Sequence, residues 1–101
     1  MSKTEVKSSE LEWVQAQDGT KEKVLIESEK GMQMYILKLG PGQQIPHHIH
    51  LQDKYNFILK ESMSDEKGSY KVGDLVINEK DSSHTVTASS EGCEFLLIWE
   101  K

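Results

Sequence analysis

The sequence predicts a single-domain, all-β protein built as a sandwich or a barrel. Its 101 residues are enough for one small hydrophobic core. No stretch keeps a helical hydrophobic period for three turns, whereas short β-branched and aromatic runs alternate with polar turns along the whole chain. Some eight or nine short strands at this spacing are typical of closed or two-layered β structures.

The elements follow from the turn residues. Residues 1–10 form a polar N-terminal tail, which we expect to be frayed or loosely docked, and residues 11–101 form the domain. Turns around Asp18-Gly19 and at Lys30-Gly31 separate the first strands, and Gly40-Pro-Gly42 ends the third strand sharply. The predicted strands are Leu11–Val14, Lys23–Glu27, Met32–Leu39, Tyr55–Leu59, Ser69–Val72, Leu75–Ile77, Thr85–Thr87 and Phe95–Trp99.

The last predicted strand, Phe95–Trp99, is the longest uninterrupted apolar run in the chain. A strand that is apolar on both faces should be fully covered. Five residues are far fewer than the roughly 20 that a membrane helix needs, and the N-terminus lacks the apolar segment of a signal peptide. We therefore predict a cytoplasmic protein that has no membrane partner.

Charge, cysteine content and missing motifs exclude several function classes. Twelve basic against seventeen acidic residues give a net charge of −5, and no segment forms a basic stripe, so a nucleic-acid partner is not expected. The single cysteine, Cys93, precedes an apolar run and is predicted to be a buried, inert thiol. The absence of P-loop, GxSxG, HExxH and GxGxxG motifs removes most nucleotide-binding, hydrolase and metalloprotease functions.

Four histidines form the most informative pattern. Three lie in the segment Pro46-His-His-Ile-His50, and His84 follows 34 residues after the last of them. Side chains alternate along a strand, so His48 and His50 share one face while His47 points to the other. Two imidazoles on one face and a third from a later strand can hold Zn²⁺, Fe²⁺ or Ni²⁺. The HxH pattern alone favours a histidine-rich solvent loop without a metal, and only the surrounding residues shift the balance.

The order of these motifs resembles the two motifs of the cupin superfamily, and in particular the ChrR-like cupins, the type found as the C-terminal domain of the ChrR anti-sigma factor. The resemblance covers residues 12–100 and implies a cupin jelly-roll, a double-stranded β-helix barrel that holds a metal ion inside its mouth. The supporting stretches are Leu39-Gly-Pro-Gly42, Ile45-Pro-His-His-Ile-His50, Ser64-Asp-Glu-Lys-Gly-Ser-Tyr70, Val72-Gly-Asp74, Ser83-His84 and Glu91-Gly-Cys-Glu94.

The resemblance also implies the metal ligands and shows where this chain departs from the pattern. The implied ligands are His48, His50 and His84, together with a glutamate whose position is occupied here by Lys54. Exchanging a carboxylate for an ammonium changes the local charge by two units in the direction that repels a dication. Other motif residues differ too: Glu61 replaces a glycine, and Glu79 and Asp81 replace a proline and a glycine.

Three hypotheses account for the altered site. The three histidines alone could hold the metal, as in iron-dependent cupin dioxygenases such as the acetylacetone-cleaving enzymes, and would favour anionic, bidentate substrates. Asp53 could supply the missing carboxylate after a shift of one residue. In the third hypothesis, Lys54 occupies the space or pairs with an acid, and the metal site is lost. His47 is expected at the rim of the site.

The resulting prediction is a small stand-alone ChrR-like cupin with a modified metal site. Its cofactor would be zinc, iron or nickel, unless the site is vestigial, and its function that of a dioxygenase-type enzyme acting on a small carbonyl compound. The alternative is a non-catalytic cupin that binds a small ligand or a metal. We also expect a homodimer, because the domain is small and its edge strands need covering. Sigma-factor binding is not transferred, since it resides in another domain of the anti-sigma proteins.

Two further groups of residues receive structural interpretations. Trp13 and Trp99 are predicted to be core or dimer-interface aromatics. The acidic cluster of Glu61, Asp65 and Glu66 is predicted to be a solvated turn.

Overall fold

Strands account for nearly all of the regular structure, as the alternating sequence pattern predicts. The structure is a computed structural model, and it describes residues 4–16 and 19–101, so Asp18 of the predicted Asp18-Gly19 turn lies outside the described residues. After a 3-10 turn at Ser8–Glu10, the strands are β1 Val14–Gln15, β2 Lys21–Ile26, β3 Met32–Leu39, β4 Gln44–Ile49, β5 Lys54–Asp65, β6 Gly68–Lys71, β7 Leu75–Asn78 and β8 Ser83–Glu100.

The strands form one continuous antiparallel sheet that folds back on itself. The order β1-β2-β3-β8-β5-β6 runs through the sheet, while β4 pairs with β8 and β7 pairs with β5. The second half of β8 pairs with β3 and the first part of β5, whereas its first half pairs with β4 and lies beside the end of β5. The two long strands thus belong to both layers, a six-stranded and a four-stranded one, which confirms the predicted jelly-roll barrel.

The long strands change layer at two residues with positive φ. Glu61 in β5 has φ 58° and Gly92 in β8 has φ 92°. A Cβ atom at Gly92 would lie 2.6 Å from the carbonyl oxygen of Leu39, so no side chain fits there. Glu61 adopts the left-handed conformation at the position where the family motif has a glycine, and the fold keeps its corner despite the replacement.

The hydrophobic core fills one end of the barrel. Met63, Val86 and Phe95 belong both to this core and to the wall of a large cavity, so the core forms the cavity floor. Cys93 is 3% exposed, which confirms its predicted burial, and burial raises the pKa of its thiol to about 11, in keeping with low reactivity. The buried core residues are Leu39, Ile58, Met63, Val86, Ala88, Cys93 and Phe95.

Several strand predictions were wrong in detail, among them Tyr55–Leu59, which is part of the longer strand β5 Lys54–Asp65. The first strand is Val14–Gln15 instead of Leu11–Val14, because Leu11 closes the 3-10 turn through its N–H. Thr85–Thr87 is not a separate short strand but part of β8, since the strand bends at Gly92 instead of stopping. In Phe95–Trp99 only Phe95 is buried, because one face lines the cavity and the other lies on the outside of the barrel.

Two predictions about the chain as a whole remain predictions. Lys23 Nζ donates a hydrogen bond of 2.8 Å to the Ser8 carbonyl, so part of the tail touches the barrel, but the boundary at residue 10 is untested. Within residues 4–16 and 19–101, no helix is long and apolar enough to cross a membrane. Cytoplasmic location stays a prediction from the sequence.

Candidate metal centre

Strands β4 and β8 bring three histidines together inside the barrel mouth. His48 and His84 are direct partners in the strand register, and the backbone N–H of His50 donates to the Ser82 carbonyl at 2.9 Å. The three ring centroids lie 4.6–4.9 Å apart in pairs, and one ring nitrogen from each residue lies within 4.8 Å of the others. The predicted convergence of His48, His50 and His84 is confirmed, whereas their role as metal ligands stays a prediction.

A β-bulge in β4 separates the fourth histidine from this cluster. Ile45 pairs with Val86 but His48 pairs with His84, so Pro46 and His47 occupy the space of one residue. Pro46 suits a bulge because it has no N–H to donate. The His47 side chain is 61% exposed and lies 4.0 Å from the Glu66 carboxylate, at the rim of the cavity, as predicted.

Hydrogen bonds determine which nitrogen of each ring is free. In all three histidines Nδ1 faces an oxygen that can only accept, so Nδ1 carries the hydrogen and the lone pair is on Nε2. This is the form in which histidine binds a metal, with its other nitrogen held by a protein oxygen. The acceptors are the Pro46 carbonyl for His48 at 2.9 Å, the Ser82 carbonyl for His50 at 3.0 Å and Asp65 Oδ2 for His84 at 3.1 Å.

Asp65 is the residue of the site that the sequence prediction missed. Its side chain is only 5% exposed, which corrects the expected solvated turn. Burial raises the pKa of the Asp65 carboxyl, but hydrogen bonds from the Lys67 N–H, His84 and the Tyr70 hydroxyl outweigh burial and lower it below its usual value. Asp65 therefore stays ionised and orients His84. No linear pattern connects the two residues, which are 19 positions apart.

His50 is the most deeply placed ring of the cluster. It is 3% exposed, and burial lowers its pKa to about 4, helped by the nearby charges of His84, His48 and Lys54 and opposed by the hydrogen bond to Ser82. His50 is therefore neutral near pH 7. A neutral imidazole is the form that a metal ion requires.

Lys54, which replaces the family glutamate, has its ammonium group over the Trp99 ring. Its side chain is half-buried, lines the same cavity and places Nζ 5.1 Å from the centroid of the Trp99 ring. Burial lowers the Lys54 pKa. Trp99 is thus part of the cavity wall, which corrects its predicted place in the core or a dimer interface.

Asp53 and the other acids do not compensate for the lost glutamate. Asp53 is exposed and accepts a hydrogen bond of 2.7 Å from the Lys80 N–H, outside the histidine cluster, so the hypothesis that it supplies a carboxylate is wrong. Within the described part of the chain, no carboxylate forms an ion pair with Lys54. The pairing of Lys54 with an acid is therefore wrong as well.

The cavity above the core has a volume of about 810 Å³. Such a volume is in the range of small-molecule sites, which are mostly apolar with a few polar groups. The cavity walls are formed by all three cluster histidines, by Lys54 and Asn56 from β5, and by apolar and aromatic side chains that include Tyr35, Leu37, Ile45, Val86, Phe95, Leu97 and Trp99.

Comparison with known proteins connects this arrangement to one family. The family model described as the ChrR cupin-like domain matches residues 1–100. No curated protein matches the chain.

Solved structures of several cupin proteins share the fold. ChrR of Rhodobacter sphaeroides, an anti-sigma protein solved with SigE, has a TM-score of 0.78 at 22% identity; the match covers 91% of this chain but only 50% of ChrR. The polyketide cyclase RemF of Streptomyces resistomycificus has a TM-score of 0.86 at 14% sequence identity, and the match covers 98% of this chain and 80% of RemF. A candidate acetylacetone dioxygenase of Methylibium petroleiphilum has a TM-score of 0.81 at 18% sequence identity, and the match covers 98% of this chain and 77% of the dioxygenase. At sequence identities of 14–22%, these similarities show that the fold is shared.

Proposed function

The chain belongs to the ChrR cupin-like domain family, and we propose that it binds one divalent metal ion through His48, His50 and His84. The supporting observations are that one ring nitrogen of each histidine lies within 4.8 Å of the others and that each Nδ1 contacts a protein oxygen, which leaves Nε2 as the free donor. Neutral nitrogen donors suit zinc, iron or nickel. Bonds of about 2.1 Å place donor atoms about 3.0–3.5 Å apart, so small inward shifts of the rings would complete the site.

We propose further that this site is catalytic, as in a dioxygenase-type enzyme acting on a small carbonyl compound. Three protein ligands leave coordination positions for a substrate, and a bound ion would supply Lewis-acid or redox chemistry there. The cavity gives a small molecule direct access to the histidines. The shared fold of a candidate acetylacetone dioxygenase is in keeping with this chemistry.

A non-catalytic cupin is the second candidate, and Lys54 is the observation that favours it. A cation in place of a carboxylate weakens the binding of a dication. In that case the cavity would serve to bind a small ligand or a metal without turnover, or the metal site would be vestigial.

Metal binding is tested first. We expect the purified protein to bind one equivalent of Fe²⁺, Zn²⁺ or Ni²⁺ in calorimetric titrations and elemental analysis. His84→Ala should weaken binding at least about 100-fold, because it removes a ligand. His47→Ala is the matched control, since His47 lies on the rim outside the cluster, and it should leave binding unchanged. An equal loss of metal affinity in the two variants, or a failure of both variants to bind any metal, would contradict the proposed site.

Oxygen consumption then distinguishes the enzyme from the binding protein. The Fe²⁺-loaded protein, prepared anaerobically, is mixed with β-dicarbonyls and phenolic ketones, and oxygen uptake is followed. The enzyme hypothesis requires uptake above the free-iron control that is lost in His84→Ala. A protein that binds Zn²⁺ as well as Fe²⁺ and consumes no oxygen would favour the non-catalytic candidate.

We also propose a homodimer that forms through the outer face of the six-stranded layer. The strand register places nine apolar side chains together on this outer face, with Lys23 and Lys38 at one side of them: Ile26, Met34, Ile36, Tyr55, Phe57, Leu75, Ile77, Leu96 and Ile98.

The area of this outer face supports a dimer. Five of its side chains are 39–57% exposed and the other four are half-buried, so at roughly 150–200 Å² per side chain they expose roughly 600 Å² of apolar surface. A stable dimer buries about 800 Å² on each partner, somewhat over half of it apolar. A second copy of the chain therefore fits the outer face.

A further inference from the structure

The ammonium group of Lys54 is a charge that the cavity leaves without a counter-charge. Its Nζ lies over the Trp99 ring, which attracts a cation but accepts none of its three N–H hydrogens in the way that an oxygen would. The other charged residue of the wall besides the histidines, Glu22, lies on β2, three strands away from β5 in the sheet order. An ammonium in a partly desolvated site is costly unless an anion accompanies it.

Asn56 adds an unused hydrogen-bond acceptor beside this charge. It is 6% exposed and lines the cavity, and its Oδ1 has no hydrogen-bond partner. Buried polar atoms without a partner are uncommon and call for an explanation. Asn78 has a second unpartnered atom, Nδ2, but it does not line the cavity.

Lys54 and Asn56 stand side by side on the same wall. They are two residues apart on β5 and so share its inner face, with backbones about 7 Å apart. Their partners on β8 are Trp99 and Leu97, which form the adjacent apolar surface. The wall thus presents a cation, an acceptor and an apolar patch within the span of a small molecule.

We propose that the cavity binds a small hydroxycarboxylate through this wall. The carboxylate accepts hydrogen bonds from Lys54 Nζ and the carbon chain packs against Leu97 and Trp99. The Asn56 amide turns toward the cavity, so that its buried Oδ1 accepts the hydrogen of the hydroxyl. The assignment rests on the proposed function in taking the cavity as the substrate site. It also gives a reason for Lys54: an anionic ligand would supply the negative charge that the family glutamate would otherwise contribute.

Three matched compounds test the ligand class. Metal-free protein at pH 7.5 is titrated by calorimetry with 2-hydroxybutyrate, with butyrate, which lacks the hydroxyl, and with 2-hydroxybutyramide, which lacks the charge. We expect 2-hydroxybutyrate to bind at least about tenfold more tightly than either of the others, because only it satisfies both Lys54 and Asn56. The NMR signal of the Trp99 indole should shift with the same saturation curve.

Two substitutions assign the two contacts. Lys54→Met should abolish the preference for the acid over the amide, and Asn56→Leu should abolish the preference for the hydroxyacid over butyrate. Lys60→Met is the control, because Lys60 lies on the same strand with its side chain 70% exposed. Lys54→Gln serves as a second variant if circular dichroism shows that Lys54→Met is misfolded.

Several outcomes would overturn the proposal. Equal affinity for the three compounds, no saturable binding of any of them, or unchanged preferences in the Lys54 and Asn56 variants would each do so. Elemental analysis of the same preparations keeps the two proposals distinguishable. Selective hydroxyacid binding without metal uptake would contradict the metal site alone, and metal uptake without selectivity would contradict the hydroxycarboxylate site alone.

Discussion

At the scale of single residues, we expect the charge at position 54 to determine how tightly the histidine cluster binds a divalent metal ion. Imidazole ligands bring no negative charge to a dication, while Lys54 brings a positive charge into the same cavity. Asp65 contributes its negative charge only indirectly, through the Nδ1 hydrogen of His84. The sign of the charge at position 54 should therefore govern metal affinity.

Lys54→Glu should raise the affinity for Zn²⁺ about tenfold or more, because it replaces a repulsive charge with an attractive one in a poorly solvated mouth. Calorimetric titration measures the change. Lys60→Glu makes the same exchange at an exposed position of β5 and should leave affinity unchanged. If Lys54→Glu binds no more tightly than the parent, three histidines suffice; if both stay empty, the site is vestigial.

Individual residues also show how far the site could be predicted from the sequence. The HxH pattern placed His48 and His50 on one face because alternation along a strand is a local property. Asp65 was misassigned because its burial depends on the later strands that cover it and on His84, 19 residues away. The sequence also could not predict that Trp99 lies in the cavity wall, because both faces of its strand are apolar.

At the scale of elements, β8 connects the site to the core. Its first half carries His84, its second half carries Phe95 and Trp99, and Gly92 lies at the corner between them. A Cβ at Gly92 would lie 2.6 Å from the Leu39 carbonyl oxygen, so this corner requires glycine. The corner thus determines where the histidines lie relative to the cavity floor.

Gly92→Ala should lower the free energy of unfolding by about 3 kcal/mol or more, because the new Cβ would meet the Leu39 carbonyl oxygen and the residue would keep a left-handed φ. Urea denaturation followed by tryptophan fluorescence measures it. Gly42→Ala is the control: Gly42 also has positive φ, but nothing lies within 4 Å of its Cβ position, so it should cost only about 1 kcal/mol. Equal losses in the two variants would show that the contact at Gly92 relaxes freely.

At the scale of the whole molecule, the two faces of the six-stranded layer have different roles. The inner face lines the cavity and the outer face exposes apolar side chains to solvent. Natural proteins rarely leave an apolar patch of several hundred square ångströms uncovered. Dimerisation through the outer face would cover this apolar patch without contacting the inner-face residues that line the cavity.

Ile77→Lys should convert the dimer to a monomer, because it places a charge at an outer-face position that is 55% exposed in the single chain. Sedimentation or light scattering would report a mass falling from twice 11.5 kDa to 11.5 kDa. Ile49→Lys is the matched control, an isoleucine that is 61% exposed on β4 in the other layer, and it should leave the mass unchanged. A monomeric parent protein would contradict the dimer.

The sequence by itself determined the all-β class, the turn positions and the shared face of His48 and His50, because alternation and turn chemistry act over a few residues. Only the tertiary structure decided that β5 and β8 each run through both layers, that Asp65 orients His84 and that Lys54 lies against Trp99 without a carboxylate partner among the described residues. These features depend on register between strands far apart in the chain. Packing between these distant strands determines which residues are buried and which are paired, so no local sequence pattern predicts either property.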